Sequence, residues 1–170
     1  MLGWSIEGEK PPYKKYVLTA APHTSNWDFV VAVAAFYILG IKGKMTIKKD
    51  LFFFPLGIIL RFLGGFPIDR KNKNAGAVEQ MKEELDRREE FVFLVTPEGT
   101  RSYNPNWKKG FYYLALAAEV PIVMGYVDYG KKIAGVGPSF FPSGDVDGDI
   151  EKMKNFYKDK NGRFPDQGVR

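Results

Sequence analysis

The only histidine of the chain is followed five residues later by an aspartate. His23 and Asp28 lie in the stretch A-A-P-H-T-S-N-W-D-F, directly after an apolar run. A neutral imidazole can take a proton from a hydroxyl group, and a carboxylate on its other ring nitrogen fixes its tautomer and orientation. Positions five apart on a helix are rotated by about 140°. The two side chains therefore meet only if His23 lies in a loop and Asp28 in the first helical turn.

The same residues also have a purely structural explanation. Ser25 and Asp28 fit the S-x-x-D pattern of a capping box, in which side chains satisfy the free backbone N–H groups of a helix start. Thr24 or Ser25 is the predicted N-cap of that helix. On this interpretation His23 is an ordinary loop residue, and the local pattern leaves both explanations open.

A second polar cluster, T-P-E-G-T-R-S at 96–102, has the residue types of an anion site. Gly99 allows close backbone approach, Thr100 offers a hydroxyl group, and Arg101 offers a guanidinium fork that matches phosphate. The carboxylate of Glu98 is suited to hold the arginine or a substrate hydroxyl group. A solvated loop with a surface ion pair is the structural alternative.

A third candidate is Arg70, which ends the stretch L-G-G-F-P-I-D-R at 63–70. Its guanidinium group would follow a predicted strand, as the other candidates do. Taken alone, the segment favours an exposed arginine at a strand end. Arg70 is a candidate site residue because of the position of this segment among the other motifs.

The elements that must position these residues follow from the apolar pattern. Strands are predicted at 14–21, 44–48, 65–69, 91–96, 120–128 and 132–137, and helices at 26–39, 51–63, 74–90, 109–118 and 148–158. Alternating strands and helices predict an α/β fold, with a mostly parallel central sheet flanked by helices and a late antiparallel hairpin.

Sheet order decides whether the polar clusters form one site. The loop with His23 follows the strand at 14–21, and the loop with Arg101 follows the strand at 91–96. In parallel sheets, ligands bind beyond the carboxyl ends of the strands. If these two strands are parallel neighbours, the two loops share one crevice.

Composition limits the classes of function. The 170 residues predict a single domain over 1–170. The absence of cysteine excludes disulfides, and with one histidine it argues against a zinc site, so no metal is expected. A net charge of +5 is compatible with nucleic acid, anionic lipid or phosphorylated substrates. Nothing resembles a nucleic-acid recognition motif, so no nucleic-acid partner is expected.

Together and in order, these segments resemble the motifs of the glycerolipid acyltransferase family, which includes glycerol-3-phosphate and lysophosphatidic acid acyltransferases. The matched segments run from residue 22 to residue 125. The matching residues are His23 and Asp28 in His-x4-Asp, Gly64, Phe66, Ile68 and Arg70 in a glycine-to-arginine motif, Glu98, Gly99, Thr100 and Arg101 in Glu-Gly-Thr-Arg, Val120, Pro121, Ile122 and Val123 in an apolar proline motif, and Lys109 and Gly110 in a lysine-glycine step.

The resemblance implies an acyltransferase-like sandwich and an O-acyltransferase activity. The acyl donor would be acyl-CoA or acyl carrier protein, and the acceptor a hydroxyl group of a lysophospholipid or glycerol phosphate. His23 would act as general base, with Asp28 orienting it, and no cofactor is implied. The residues implied to hold the acceptor's phosphate or headgroup are Arg70, Glu98, Gly99, Thr100 and Arg101.

The location expected for the protein is the cytoplasm, with peripheral contact to the inner face of the membrane. The first residues lack the apolar region of a signal peptide, and the apolar runs are shorter than the roughly 20 residues of a membrane span. Lysines near an aromatic run offer a means of contact. These residues are Lys42, Lys44, Lys48, Lys49, Phe52, Phe53 and Phe54.

Two other functions fit the same residues. A thioesterase or lipid hydrolase would use His23 and Asp28 to activate water instead of an acceptor hydroxyl group. A lipid- or phosphate-binding module would have no catalytic use for the histidine. Release of free fatty acid without an acceptor separates the first from an acyltransferase, and His23→Ala separates the second.

Overall fold

The computed structural model describes residues 3–48, 52–62, 64–68 and 76–170. The strands are β1 (Ser5–Glu7), β2 (Lys15–Ala21), β3 (Gly43–Lys48), β4 (Gly65–Ile68), β5 (Phe91–Val95), β6 (Ile122–Asp128) and β7 (Ile133–Phe140). The helices are α1 (Asn26–Ile38), α2 (Leu56–Phe62), α3 (Ala77–Asp86), α4 (Gly110–Ala117) and α5 (Val146–Tyr157). A 3₁₀ turn at Pro165–Gln167 follows α5.

These strands form one seven-stranded sheet in the order β1-β7-β6-β2-β5-β3-β4. Neighbouring strands are parallel, with the exception of the antiparallel pair β6 and β7. The fold is thus a mostly parallel α/β sheet with a late antiparallel hairpin, which confirms the predicted fold class. The sequence does not predict β1, because its three residues S-I-E contain a single apolar side chain.

Helices cover both faces of the sheet, so its central strands are buried on both sides. Phe91 and Phe93 of β5 pack with α3, α4 and α5, whereas Val92 and Leu94 pack with α1. This two-sided burial explains why β5 is a continuous apolar run instead of an alternating one. The sheet therefore provides a rigid base for the loops at its edges.

Helix α2 begins later than the sequence predicts. The prediction started the helix at residue 51, whereas the structure starts it at Leu56, directly after Pro55. The ring of a proline disfavours helical backbone in the residue before it, which here is Phe54. In the described ranges, no helix is long and apolar enough to cross a membrane.

Candidate active site

Three parallel strands end together at one edge of the sheet. Strand β2 lies between β5 and β6, with Thr19 opposite Val95 and Ala21 opposite Tyr126. Because the strands run in the same direction, the loops that follow them meet. The loop that carries His23 therefore faces the loops after β5 and β6, as the sequence argument required.

His23 and Asp28 make contact at this edge. Nδ1 of His23 lies 3.3 Å from Oδ2 of Asp28. The histidine is in the loop after β2, and the aspartate is in the first turn of α1. The imidazole is partly exposed, whereas Asp28 is buried. One ring nitrogen thus faces a carboxylate while the ring remains accessible to a substrate.

Asp28 also caps α1, so both explanations of the sequence pattern hold at once. Its Oδ2 accepts from the backbone N–H groups of Thr24 at 2.6 Å and Ser25 at 2.7 Å. The side chain of Ser25, the N-cap residue, accepts in return from the first turn and completes a capping box. The cap fixes the carboxylate, and the fixed carboxylate fixes the position of the imidazole.

The hydrogen bonds around Asp28 favour its ionised form. Burial alone would raise its pKa, but the bonds from His23, Ser25 and Thr24 outweigh burial and hold the pKa below its usual value. Oδ1 of Asp28 and the hydroxyl oxygen of Tyr129 are both buried without a hydrogen-bond partner of good geometry among the described residues, and Tyr129 also lowers the pKa of Asp28. Burial and the charge of Asp28 raise the pKa of Tyr129, which therefore stays protonated.

Glu98 binds the backbone of the histidine loop. Both of its carboxylate oxygens lie 3.1 Å from the backbone nitrogen of His23, which donates to them. The residue is only 3% exposed. Burial raises its pKa to about 7, although the bond from His23 lowers it. Because Glu98 follows β5 and accepts from the backbone of His23, it holds the loop after β2 against the loop after β5.

The loop after β5 places Arg101 beside α1. Nη1 of Arg101 donates to the side-chain oxygen of Asn26, in the first turn of α1, at 2.9 Å. Gly99 adopts a φ of +67°, and a Cβ there would lie 2.9 Å from the side chain of Lys108, so both backbone and packing favour glycine here. The hydroxyl group of Thr100 accepts from the backbone of Ser102 within the loop.

The charge of Arg101 is available to a ligand. No carboxylate of the described residues lies within ion-pair distance of its guanidinium group, and the side chain is exposed. In the part of the chain that the structure describes, no group of three or more His, Cys, Asp or Glu side chains is placed to hold a metal ion. The edge is suited to an anion beside an imidazole.

A family model for acyltransferases matches residues 5–126, which include both loops. The chain belongs to this acyltransferase family. The match covers most of the chain and confirms the resemblance to glycerolipid acyltransferases that the motifs indicated.

Two relatives named as 1-acyl-sn-glycerol-3-phosphate acyltransferases are longer than this chain. The 1-acyl-sn-glycerol-3-phosphate acyltransferase beta of Homo sapiens is 34% identical over 105 residues, which cover 58% of this chain and 37% of that protein. The 1-acyl-sn-glycerol-3-phosphate acyltransferase of Streptococcus pneumoniae is 31% identical over 135 residues, 72% of this chain and 48% of that protein. The chain thus spans less than half the length of these two relatives.

A solved acyltransferase shares the fold. The crystal structure of the 1-acyl-sn-glycerophosphate acyltransferase PlsC from Thermotoga maritima matches with a TM-score of 0.64 at 19% identity, covering 87% of this chain and 67% of that one. At this identity the match supports the arrangement of strands and helices, and nothing about substrates.

Not every predicted site residue of this chain can be placed. Arg70 lies outside the described residues, so its prediction remains open. The strand before it, β4, is the edge strand of the sheet and is separated from β5 by β3. His23, Asp28, Glu98 and the loop of Arg101 lie at one edge, as predicted. The predicted pairing of Glu98 with Arg101 is wrong, because Glu98 accepts from the backbone of His23 and Arg101 donates to Asn26.

The sequence argument missed two contributors to this edge. Tyr129 directly follows β6, so the same strand-end criterion that selected His23 would have found it. The other contributor is the segment after α5, in which the backbone N–H of Phe164 donates to Oγ1 of Thr24 at 3.2 Å. No motif or periodicity marks that segment.

Proposed function

We propose that this chain is a 1-acylglycerol-3-phosphate O-acyltransferase, which moves a fatty acyl group from a thioester donor to a hydroxyl group of a phosphate-bearing glycerolipid precursor. The donor would be acyl-CoA or acyl carrier protein. The names of its relatives support the acceptor class. The observation that carries the proposal is the 3.3 Å contact of His23 with Asp28, at the same edge as Arg101.

In the proposed reaction, His23 is the general base. Asp28, kept ionised, accepts from Nδ1 and leaves Nε2 to take the proton of the acceptor hydroxyl group. The acceptor oxygen attacks the thioester carbonyl, a C–O bond forms, and the C–S bond breaks. The imidazolium then returns the proton to the departing thiolate. This reaction needs neither a nucleophile from the protein nor a cofactor.

The remaining site residues divide between two tasks. Glu98 holds the backbone of His23, and its burial keeps its carboxylate away from an anionic acceptor. Arg101 binds the acceptor's phosphate, supported by the loop of Gly99 and Thr100. Arg70 is proposed to contribute to the same headgroup site on the strength of its motif alone.

The direct test is an acyl-transfer assay. Purified protein is given labelled acyl-CoA or acyl carrier protein with lysophosphatidic acid, glycerol 3-phosphate or no acceptor. We expect labelled product with a phosphate-bearing acceptor, and His23→Ala to lower the rate at least ~10²-fold, the range for a positioned base. Equal release of fatty acid with and without acceptor would instead identify a thioesterase. Full activity of the variant would remove His23 from the mechanism.

Peripheral contact with the inner face of a membrane belongs to the same proposal, because the acceptor class is a lipid. Its support is the exposure of Phe53 and Phe54. Lys42 is also exposed, but it precedes β3, whereas the two phenylalanines follow that strand. Lys49 lies outside the described residues, as do the side-chain contacts of Lys48.

A further inference from the structure

The residues 161–164, which follow α5, are bound to the histidine loop and to the end of β6. The backbone N–H of Tyr129 donates to the carbonyl oxygen of Asn161 at 2.8 Å, and the N–H of Phe164 donates to Oγ1 of Thr24 at 3.2 Å. The N–H of Asn161 also donates to Oδ1 of Asp128, at 3.3 Å. These bonds hold the segment at the edge where the proposed chemistry occurs.

Gly162 allows this close approach. A Cβ at this position would lie 2.6 Å from Cγ2 and 2.8 Å from Oγ1 of Thr24, closer than side chains tolerate. The backbone of Gly162 therefore packs directly against the side chain of Thr24, the residue after His23. The backbone of the next residue, Arg163, is held by the contacts of its neighbours on both sides.

Arg163 lies over the first turn of α1. Its guanidinium carbon is 5.8 Å from the centre of the Trp27 ring, a weak cation–π contact between exposed side chains. No described carboxylate pairs with it. Arg101 binds Asn26, the residue before Trp27. Two guanidinium groups without a described counter-ion thus contact consecutive residues in the first turn of α1, the helix that begins three residues after His23.

We propose that Arg163 is a further cation of the acceptor's phosphate site, in addition to Arg101, and that it selects phosphate monoesters over uncharged acceptors. A phosphate monoester carries about −1.5 to −2 charges at pH 7, which one guanidinium group cannot neutralise. Two planar forks can bind its oxygens together. The inference rests on the proposed function, but Arg163 lies beyond the residues 5–126 that match the family model.

Steady-state kinetics with two acceptors test the proposal. We expect Arg163→Ala to raise the KM for lysophosphatidic acid about 10-fold or more, the loss typical of a charge-assisted hydrogen bond, with kcat within about 2-fold. The KM for a monoacylglycerol with the same chain, which lacks the phosphate, should not change. Arg163→Lys keeps the charge and should fall between. An unchanged KM for lysophosphatidic acid in Arg163→Ala would overturn the proposal.

A matched variant controls for loss of charge alone. Lys158→Ala also removes one positive charge near the carboxyl terminus, but Lys158 bonds Asn155 on α5 and is exposed. It should behave as the unmodified protein does. An equal rise in KM in both variants would mean general electrostatics and would overturn a specific role for Arg163. Equal melting temperatures verify folding.

A binding measurement separates this inference from the proposed function. Glycerol 3-phosphate is titrated while tryptophan fluorescence is recorded, with Trp27→Phe to identify the signal of Trp27. We expect a saturable change in the unmodified protein and a dissociation constant at least about 10-fold higher in Arg163→Ala. Binding without acyl transfer would refute the proposed function but keep the Arg163 site. Acyl transfer that does not depend on Arg163 would keep the proposed function and refute the Arg163 site. If neither acyl transfer nor binding is observed, both the proposed function and the Arg163 site are refuted.

Discussion

Asp28 has two tasks, and single substitutions can separate them. Asp28→Asn keeps an oxygen for the cap but removes the charge that orients His23 and stabilises its imidazolium form. We expect kcat to fall at least ~10²-fold, with the free energy of unfolding lowered by about 1 kcal/mol. Kinetics and urea denaturation measure the two effects.

Ser25→Ala is the matched control for Asp28→Asn. It removes a capping bond without touching the imidazole, so stability should fall by about 1 kcal/mol while most activity remains. If both variants lose activity equally, Asp28 acts only as a cap and the proposed base has no orienter.

Glu98 should make stability depend on pH in an unusual direction. Its pKa is about 7 in the folded protein against 4.5 ordinarily, so the folded state binds more protons than the unfolded state between these values. The free energy of unfolding therefore falls as pH rises through this window, by up to ~1.4 kcal/mol per pH unit.

Glu98→Gln removes this titration and keeps an oxygen for the N–H of His23. Its stability relative to the unmodified protein should rise between about pH 4.5 and about pH 7 and then level off. Urea denaturation of both proteins at pH 5, 6, 7 and 8 provides the comparison. A constant difference across this range would mean that Glu98 is ionised throughout.

At the scale of elements, the 161–164 segment is expected to support the histidine loop. Gly162→Ala places a methyl group against Thr24, so either the segment or the loop must move. We expect a loss of about 1–3 kcal/mol in stability, the usual range for overpacking, together with a lower kcat. Gly76→Ala is the control, since nothing lies within 4 Å of a Cβ there. Unchanged kcat in Gly162→Ala would show that the segment does not position the loop.

Elements also show what the sequence could predict. The buried strand β5 was predictable because a run of apolar residues between polar loops has few other structures available to it, and the strand-end rule then located Glu98 and His23. The short strand β1 was not predictable, because its three residues have no local strand pattern and form a strand only by pairing with β7. The approach of 161–164 to Thr24 likewise depends on α5 returning to the sheet edge, which no local pattern encodes.

At the scale of the whole molecule, the surface combines a net charge of +5 with exposed aromatic side chains. Phe54, which precedes α2, is 83% exposed, and Phe62, the last residue of α2, is 90% exposed. Exposed aromatic and basic residues together are typical of surfaces that bind anionic membranes. The proposed lipid acceptor would be reached from such a surface.

Vesicle sedimentation tests this prediction. We expect the protein to sediment with vesicles that contain anionic phosphatidylglycerol, less with neutral phosphatidylcholine, and less again at high salt, because ions screen the attraction. Phe54→Ser should weaken binding, since it removes an apolar side chain that would enter the interface. Phe141→Ser is the matched control, because Phe141 is also exposed, at 57%, but lies after β7 and contacts Tyr13. No sedimentation with anionic vesicles, or an equal loss in both variants, would contradict a membrane-binding surface at α2.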